Sequence, residues 1–194
     1  MSELPCSQTA IVALDDGTLG LRDGIPIPSL EDDMILVKNA FVALNPIDTK
    51  MVGKLASAGA IAGMDFAGEV IRIGSNVQTA APINPGDRIC GAVPGMHSLT
   101  PAVGAFAQYV GATDLTVLKV PDHMSLEEAA TLGSGVGTIG LALFKSLNVP
   151  GWPGLPADKP VDVLVYGGST ATGTLAIQFL KFYVSAHPWE YIWL

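Results

Sequence analysis

The residues best suited to chemistry lie near position 170. Gly167-Gly168-Ser169-Thr170-Ala171-Thr172-Gly173 separates an apolar run, Val161 to Tyr166, from an amphipathic stretch, Thr174 to Lys181. A strand, a Gly-rich turn and a helix in this order make an anion site, because the first turn of a helix offers unpaired N–H groups and a positive dipole end. Glycines let the backbone approach a pyrophosphate and let the helix pack close to the strand. The turn departs from a strict GxGxxG. It has Gly at the turn and at the helix entry, with Ala171 where a middle Gly would stand. Ser169, Thr170 and Thr172 add hydroxyl donors for phosphate oxygens. The same pattern also serves as a structural βα turn without a ligand. The residue that separates NAD from NADP belongs at the end of the next strand, which is not in this sequence.

Other candidates carry less. Cys6 and Cys90 show no CxxC spacing and have no histidine at ligand distance, so they read as free thiols in a reducing compartment. His97, His123 and His187 sit in no constellation, and no general acid or other catalytic residue is assigned. Lys50, judged by type alone, is a solvated surface lysine.

These residues need elements to position them. Short apolar runs at Thr9–Leu14, Met34–Leu44, Phe66–Gly74, Arg88–Gly91 and Ala105–Val110 are punctuated by Gly, Pro, Asn and Asp, which predicts a β-rich, partly closed barrel over residues 1–124. Ser125-Leu126-Glu127-Glu128 is a capping box that opens a helix. Gly133, Gly135 and Gly137 are expected to interrupt it, with a second helical stretch from Thr138 to Leu147. A Pro/Gly-rich loop, Pro150 to Pro160, is expected to wrap the surface. Val161 to Tyr166 then reads as a parallel strand buried on both faces.

Composition excludes several function classes. The net charge is −8 and the ten basic residues are scattered, which argues against nucleic acid or an anionic membrane as partner. The chain is 49% hydrophobic, but Gly and Pro break every apolar stretch short of a membrane span. The N-terminus lacks the basic and apolar regions of a signal peptide.

The order of these segments resembles the medium-chain dehydrogenase/reductase superfamily. The resemblance is to its zinc-independent, quinone-reductase-like branch, through Asn45-Pro46-Ile47-Asp48-Thr49-Lys50, Gly63-Met64-Asp65-Phe66-Ala67-Gly68-Glu69-Val70 and Pro85-Gly86-Asp87-Arg88-Ile89-Cys90-Gly91. Val163-Leu164-Val165-Tyr166-Gly167-Gly168-Ser169-Thr170-Ala171-Thr172, the Gly95–Tyr109 segment and Leu132–Lys145 resemble the fungal trans-acting enoyl reductases that work beside highly reducing polyketide synthases. The implied fold is α/β plus β: a GroES-like β-barrel over 1–124, the incomplete beginning of a Rossmann-type parallel sheet over 125–183, and a non-family tail over 184–194. The implied reaction is NADPH-dependent reduction of an α,β-unsaturated polyketide thioester, in a cleft between barrel and Rossmann domain. A quinone or enone oxidoreductase, or an inactive truncated remnant, is the alternative.

By the same resemblance Ile47, Asp48, Thr49 and Lys50 contact the cofactor from the barrel side, and Ser169, Thr170, Ala171 and Thr172 contact its phosphates. Thr138, Ile139, Gly140, Leu141, Ala142, Leu143, Phe144 and Lys145 line the acyl pocket, although Leu141 and Leu143 fit plain packing better than Thr138 does. Zinc-dependent relatives carry a Cys near Asn45–Asp48 and a His-Glu pair near Asp65. This chain has neither, so no metal is expected. The implied protein is a cytoplasmic monomer whose partner is the polyketide synthase holding the carrier-bound substrate.

After Phe182-Tyr183 the resemblance stops. Pro188 blocks a helix, and Trp189, Tyr191 and Trp193 crowd the end of the chain. Val184-Ser185 can be encoded by GTGAGT, a splice-donor sequence, so the tail is expected to be translation through a retained intron. An uninterrupted reading frame in mature transcript rejects that expectation.

Overall fold

Alternating side chains set the first elements. Along β1 (Ser7–Ala13), Gln8, Ala10 and Val12 are buried while Ser7 is exposed, the period of a strand covered on one face. Gly17 takes φ 80° to turn the chain, and β2 (Leu19–Pro26) returns antiparallel to β1. The sequence pattern does not announce β2. Most of it is exposed, so its backbone pairing holds it rather than a core face. The computed structural model describes residues 4–79, 81–152, 154–159 and 161–184, divided between two units, Met1–Ser134 and Gly135–Leu194.

The first unit continues with β3 (Met34–Ala43), the short helix α1 (Pro46–Lys50), β4 (Asp65–Ile73), β5 (Arg88–Ala92), β6 (Tyr109–Thr113) and β7 (Val117–Lys119). The strands form one antiparallel sheet in the order β6-β3-β4-β5-β7. Ile35, Val37, Phe66, Val70, Ile89 and Val110 enter its main core. Ala67 and Cys90 point to the opposite face, against Ala129 and Ala130 of α2 (Leu126–Ala130). β1 approaches this sheet irregularly, through single bridges from Ala10 to Ala107 and from Val12 to Ile61.

The strand expected at Ala105 begins at Tyr109 instead. Asn39 Nδ2 donates to the carbonyls of Ala105 (2.7 Å) and Ala107 (3.1 Å), so a side chain takes acceptors that a ladder would use.

The capping box forms as its residues require. Glu128 N–H donates to Ser125 Oγ at 3.2 Å, and Ser125 N–H donates to Glu128 Oε2 at 3.0 Å. The hydrogen bonds from Ser125 hold the Glu128 carboxyl below its ordinary range. Ser125→Ala is expected to cost about 1 kcal/mol in chemical denaturation, and to return Glu128 toward its ordinary titration range by NMR.

The glycines do not interrupt the next helix. α3 runs through Gly133–Gly140 and passes into a π-turn, Leu141–Ser146. Two of them serve close approach: a Cβ on Gly133 would collide with the Gly91 carbonyl, and one on Gly135 would lie 2.6 Å from Leu175 Cδ1, whereas a Cβ on Gly137 would meet open space.

In the second unit α4 (Ala171–Tyr183) packs Ala176 and Leu180 against Ile139 and Leu143. Phe144, Phe179 and Tyr183 stack edge-on or tilted, with centroids 5.8–6.5 Å apart. Val184, the first residue of the expected tail, is buried in this cluster; 185–194 lie outside the described residues. The Pro150–Pro160 loop docks through Ala157 N–H on the Tyr183 carbonyl at 2.8 Å.

The strand expected over Val161–Tyr166 is not paired with any described strand. Val161, Val163 and Val165 pack against the helix core, while Leu164 and Tyr166 are 80% and 89% exposed. A parallel strand buried on both faces needs neighbours on either side. With one helix beside it, only alternate residues find cover.

Candidate active site

The Gly-rich turn folds onto the start of α4. Gly167 takes φ 79°, and a Cβ on Gly173 would collide with the Gly167 carbonyl. Thr170 is the N-cap: its Oγ1 accepts from Gly173 N–H at 3.1 Å and donates to Gly167 O at 2.8 Å. The Thr170 hydroxyl hydrogen is therefore spent within the turn. Thr174 Oγ1 donates to Gly168 O at 3.1 Å. Ser169, Ala171 and Thr172 are exposed. By helix geometry the N–H groups of Ala171 and Thr172 have no acceptor within the helix. The turn thus presents two backbone donors and two exposed side-chain hydroxyls at a helix N-terminus.

Helix α1 carries the other group singled out in the sequence. Ile47, Thr49 and Lys50 are exposed and Asp48 is half-buried. None of the five residues of α1 is buried; the helix is tied at its ends, by Met51 packed on the core and by the hydrogen bonds of its N-cap. Asn45 N–H donates to Asp48 Oδ2 at 2.7 Å, and Asn45 Nδ2 donates to Asp65 Oδ2 at 2.8 Å. Burial pushes the Asp48 carboxyl up, the Asn45 N–H opposes it, and the charge of Asp65 adds to the rise.

Asp65, the first residue of β4, is 1% exposed. Its Oδ1 accepts from both the N–H and the Oγ of Ser134, each at 2.6 Å. Asn45, Asp65 and Ser134 are not among the site residues expected from sequence. The available signal was an acid opening an apolar strand, since an Asp among buried residues must find donors. The partners could not be read, because they lie 20 and 69 residues away in sequence.

The third group is split by packing. Ile139 and Leu143 are buried, Phe144 joins their cluster, and Gly140 and Ala142 are half-buried. Thr138, Leu141 and Lys145 are exposed. Leu143 thus packs as expected, whereas Leu141, at 59% exposure, does not. Leu141–Lys145 lie in the π-turn, where Leu147 N–H reaches back to Ala142 O at 3.0 Å. Such turns recur at functional sites.

The two thiols differ sharply. Cys6 is exposed and Cys90 buried. Burial first, and the Asp65 charge second, push Cys90 up to about 11 from an ordinary 9.0. In the native protein Cys6 alone is expected to react with iodoacetamide at mildly alkaline pH, and Cys90 only after denaturation. The unfolded thiol ionises first, so Cys90 withdraws stability as pH rises from 9.0 towards 11. Among the described residues no three His, Cys, Asp or Glu side chains converge to hold a metal, and no helix is long and apolar enough to cross a membrane.

This architecture matches known oxidoreductases. The alcohol dehydrogenase GroES-like domain family matches residues 31–122. The quinone oxidoreductase from Coxiella burnetii superposes with a TM-score of 0.64 at 27% identity, over 91% of this chain and 54% of that one. A mycobacterial structure complexed with NADPH superposes with a TM-score of 0.65 at 26% identity, over 90% and 50%. Residues 31–122 thus carry the alcohol dehydrogenase GroES-like domain, and the chain is similar in fold to these oxidoreductases.

In sequence it is similar to trans-enoyl reductases. One from Gibberella zeae is 67% identical over 181 residues, covering 93% of this chain and 50% of that protein. The chain spans about half the length of the curated relatives it matches.

Proposed function

We propose that this chain carries the barrel and the phosphate turn of an NADPH-dependent trans-acting enoyl reductase, one that reduces α,β-unsaturated polyketide thioesters presented by a polyketide synthase. The observation that carries this reading is the 67% identity to the Gibberella zeae trans-enoyl reductase over 93% of the chain. The division into a barrel over 1–124 and a Rossmann start over 125–183, a monomeric state and a cytoplasmic location belong to the same proposal.

The residues present fit the cofactor. Gly173 lets the turn pack directly on the helix, and the exposed Ser169, Ala171 and Thr172 present the start of α4 for a pyrophosphate. Ser169, Ala171 and Thr172 take its phosphate oxygens, with Thr170 shaping the turn from its cap position. Ile47, Asp48, Thr49 and Lys50 contact the cofactor from α1. Lys50 supplies positive charge for phosphate, ribose or a developing enolate oxygen. Thr138, Ile139, Gly140, Leu141, Ala142, Leu143, Phe144 and Lys145 serve the acyl chain, the exposed Thr138, Leu141 and Lys145 by contact and the buried ones by shaping the wall. When bound, NADPH supplies the hydride for the substrate β-carbon, and a proton is taken up at the α-carbon.

The test compares this chain with a fusion that adds the C-terminal half of the Gibberella zeae relative. NADPH binding and reduction of a crotonyl thioester are measured for both. Activity in the fusion supports the reading, and activity in neither rejects it. The fold match to a quinone oxidoreductase at 27% identity favours a second reading, a quinone or enone reductase. Reduction of a free quinone with no activity on the thioester would select it.

A further inference from the structure

We infer that Asp65 is a positioning residue that sets the place of α1 through Asn45. α1 is five residues long and buries none of them. A helix so short does not hold itself in water. Its C-cap residue Met51 packs on the main core, and its N-terminal end is held by hydrogen bonds: Asn45 donates through Nδ2 to Asp65 and through its backbone N–H to Asp48.

Stability alone does not account for a carboxylate at this point. Asp65 is 1% exposed, and it takes part in no ion pair among the described residues. A buried charge is costly, and apolar replacement of buried ionic groups is often neutral or stabilising. What the carboxylate provides is direction. Oδ1 is occupied by two donors from Ser134 at 2.6 Å, which fixes its rotation. Oδ2 then faces Asn45 at a set distance of 2.8 Å. The order of contacts runs from Ser134 to Asp65, Asn45 and Asp48, and places the α1 residues Ile47 to Lys50. That these residues meet a cofactor rests on the function proposed above; the positioning itself does not.

The experiment follows amide exchange by NMR at Asp48 and Met51, whose N–H groups donate to Asn45 O and Ile47 O, both at 3.0 Å. Wild type is compared with Asn45→Ala, Asp65→Ala, Asp65→Asn and the double Asn45→Ala/Asp65→Ala. Val110→Ala, a core change on β6, which pairs with β3, reports general destabilisation. Asn45→Ala and Asp65→Ala should each raise exchange at Asp48 and Met51 by about tenfold more than at β4 amides, the loss of one charge-assisted hydrogen bond. The double variant should add little to either single one. Asp65→Asn should restore most of the protection, because the Asn45 amide can turn over and accept from the new amide while Ser134 keeps its acceptor.

Exchange at α1 that stays at the wild-type rate in Asn45→Ala, or that rises only in step with β4 as in Val110→Ala, overturns the inference. If Asp65→Ala fails to fold, Asn45→Ala and Asp65→Asn decide it. An NADPH titration runs beside this. Weaker binding to Asn45→Ala supports both readings, whereas absence of binding both to wild type and to the fusion rejects the cofactor reading and leaves the exchange result to decide the positioning.

Discussion

Phe66→Ala is expected to lower the stability of the first unit by about 3–5 kcal/mol, much of the roughly 5–15 kcal/mol a domain holds. Phe66 is fully buried on β4 and sits opposite Gly91 of β5. A Cβ on Gly91 would lie 3.2 Å from Phe66 Cζ, so the ring fills the space that the glycine leaves. The sheet cannot close over the hole, because Gly91 is already packed against the Thr116 carbonyl on the side that faces the ring. Denaturation by urea, followed by circular dichroism, should show a lower midpoint with the slope kept. Phe66→Leu, which keeps most of the volume, should cost less than about 1.5 kcal/mol. A loss in Phe66→Ala no larger than that of Phe66→Leu would mean that the site collapses freely.

The same pair of strands shows what a sequence discloses. Phe66, Val70 and Ile89 on one face, with Ala67 and Cys90 on the other, follow from alternation, so β4 and β5 were legible. So was the capping box, whose partners are three residues apart. Features set by distant partners were not. β2 lacks a buried face and exists through pairing with β1. Gly133 and Gly135 carry a low helix propensity, yet α3 runs through them, and their place in it answers to groups that crowd their Cα atoms. Val161 to Tyr166 has the composition of a strand, and composition supplies no partner strand. In the candidate site, residue types drew attention to the turn and to Ile47–Lys50. They did not disclose that Thr170 spends its hydroxyl on the cap, nor that Asp65 fixes Asn45. Both are statements about which donor meets which acceptor, and geometry alone decides that.

Gly173→Ala gives the sharpest test of the turn, because local and tertiary effects oppose each other. In a helix interior alanine is favoured over glycine by about 1 kcal/mol, so a helix without close neighbours would gain. Here the new Cβ would collide with the Gly167 carbonyl oxygen and lie 2.9 Å from its carbon and 3.0 Å from Gly168 Cα. All are backbone atoms that cannot rotate away. The helix must move from the turn, and the Thr170 bonds to Gly173 N–H (3.1 Å) and Gly167 O (2.8 Å) must stretch. The expected result is a loss of about 1–3 kcal/mol in the second unit. NADPH binding should fall by at least about tenfold, since the Ala171 and Thr172 N–H groups would no longer converge with the turn. Thr170→Ala removes the cap but leaves the close approach, so it should cost only about 1 kcal/mol and weaken binding less. Thermal melts and fluorescence titrations on the two variants separate the effects. A stabilised Gly173→Ala protein would show that α4 and the turn do not meet as closely as described. A destabilised one that binds NADPH as wild type does would move the phosphate site elsewhere.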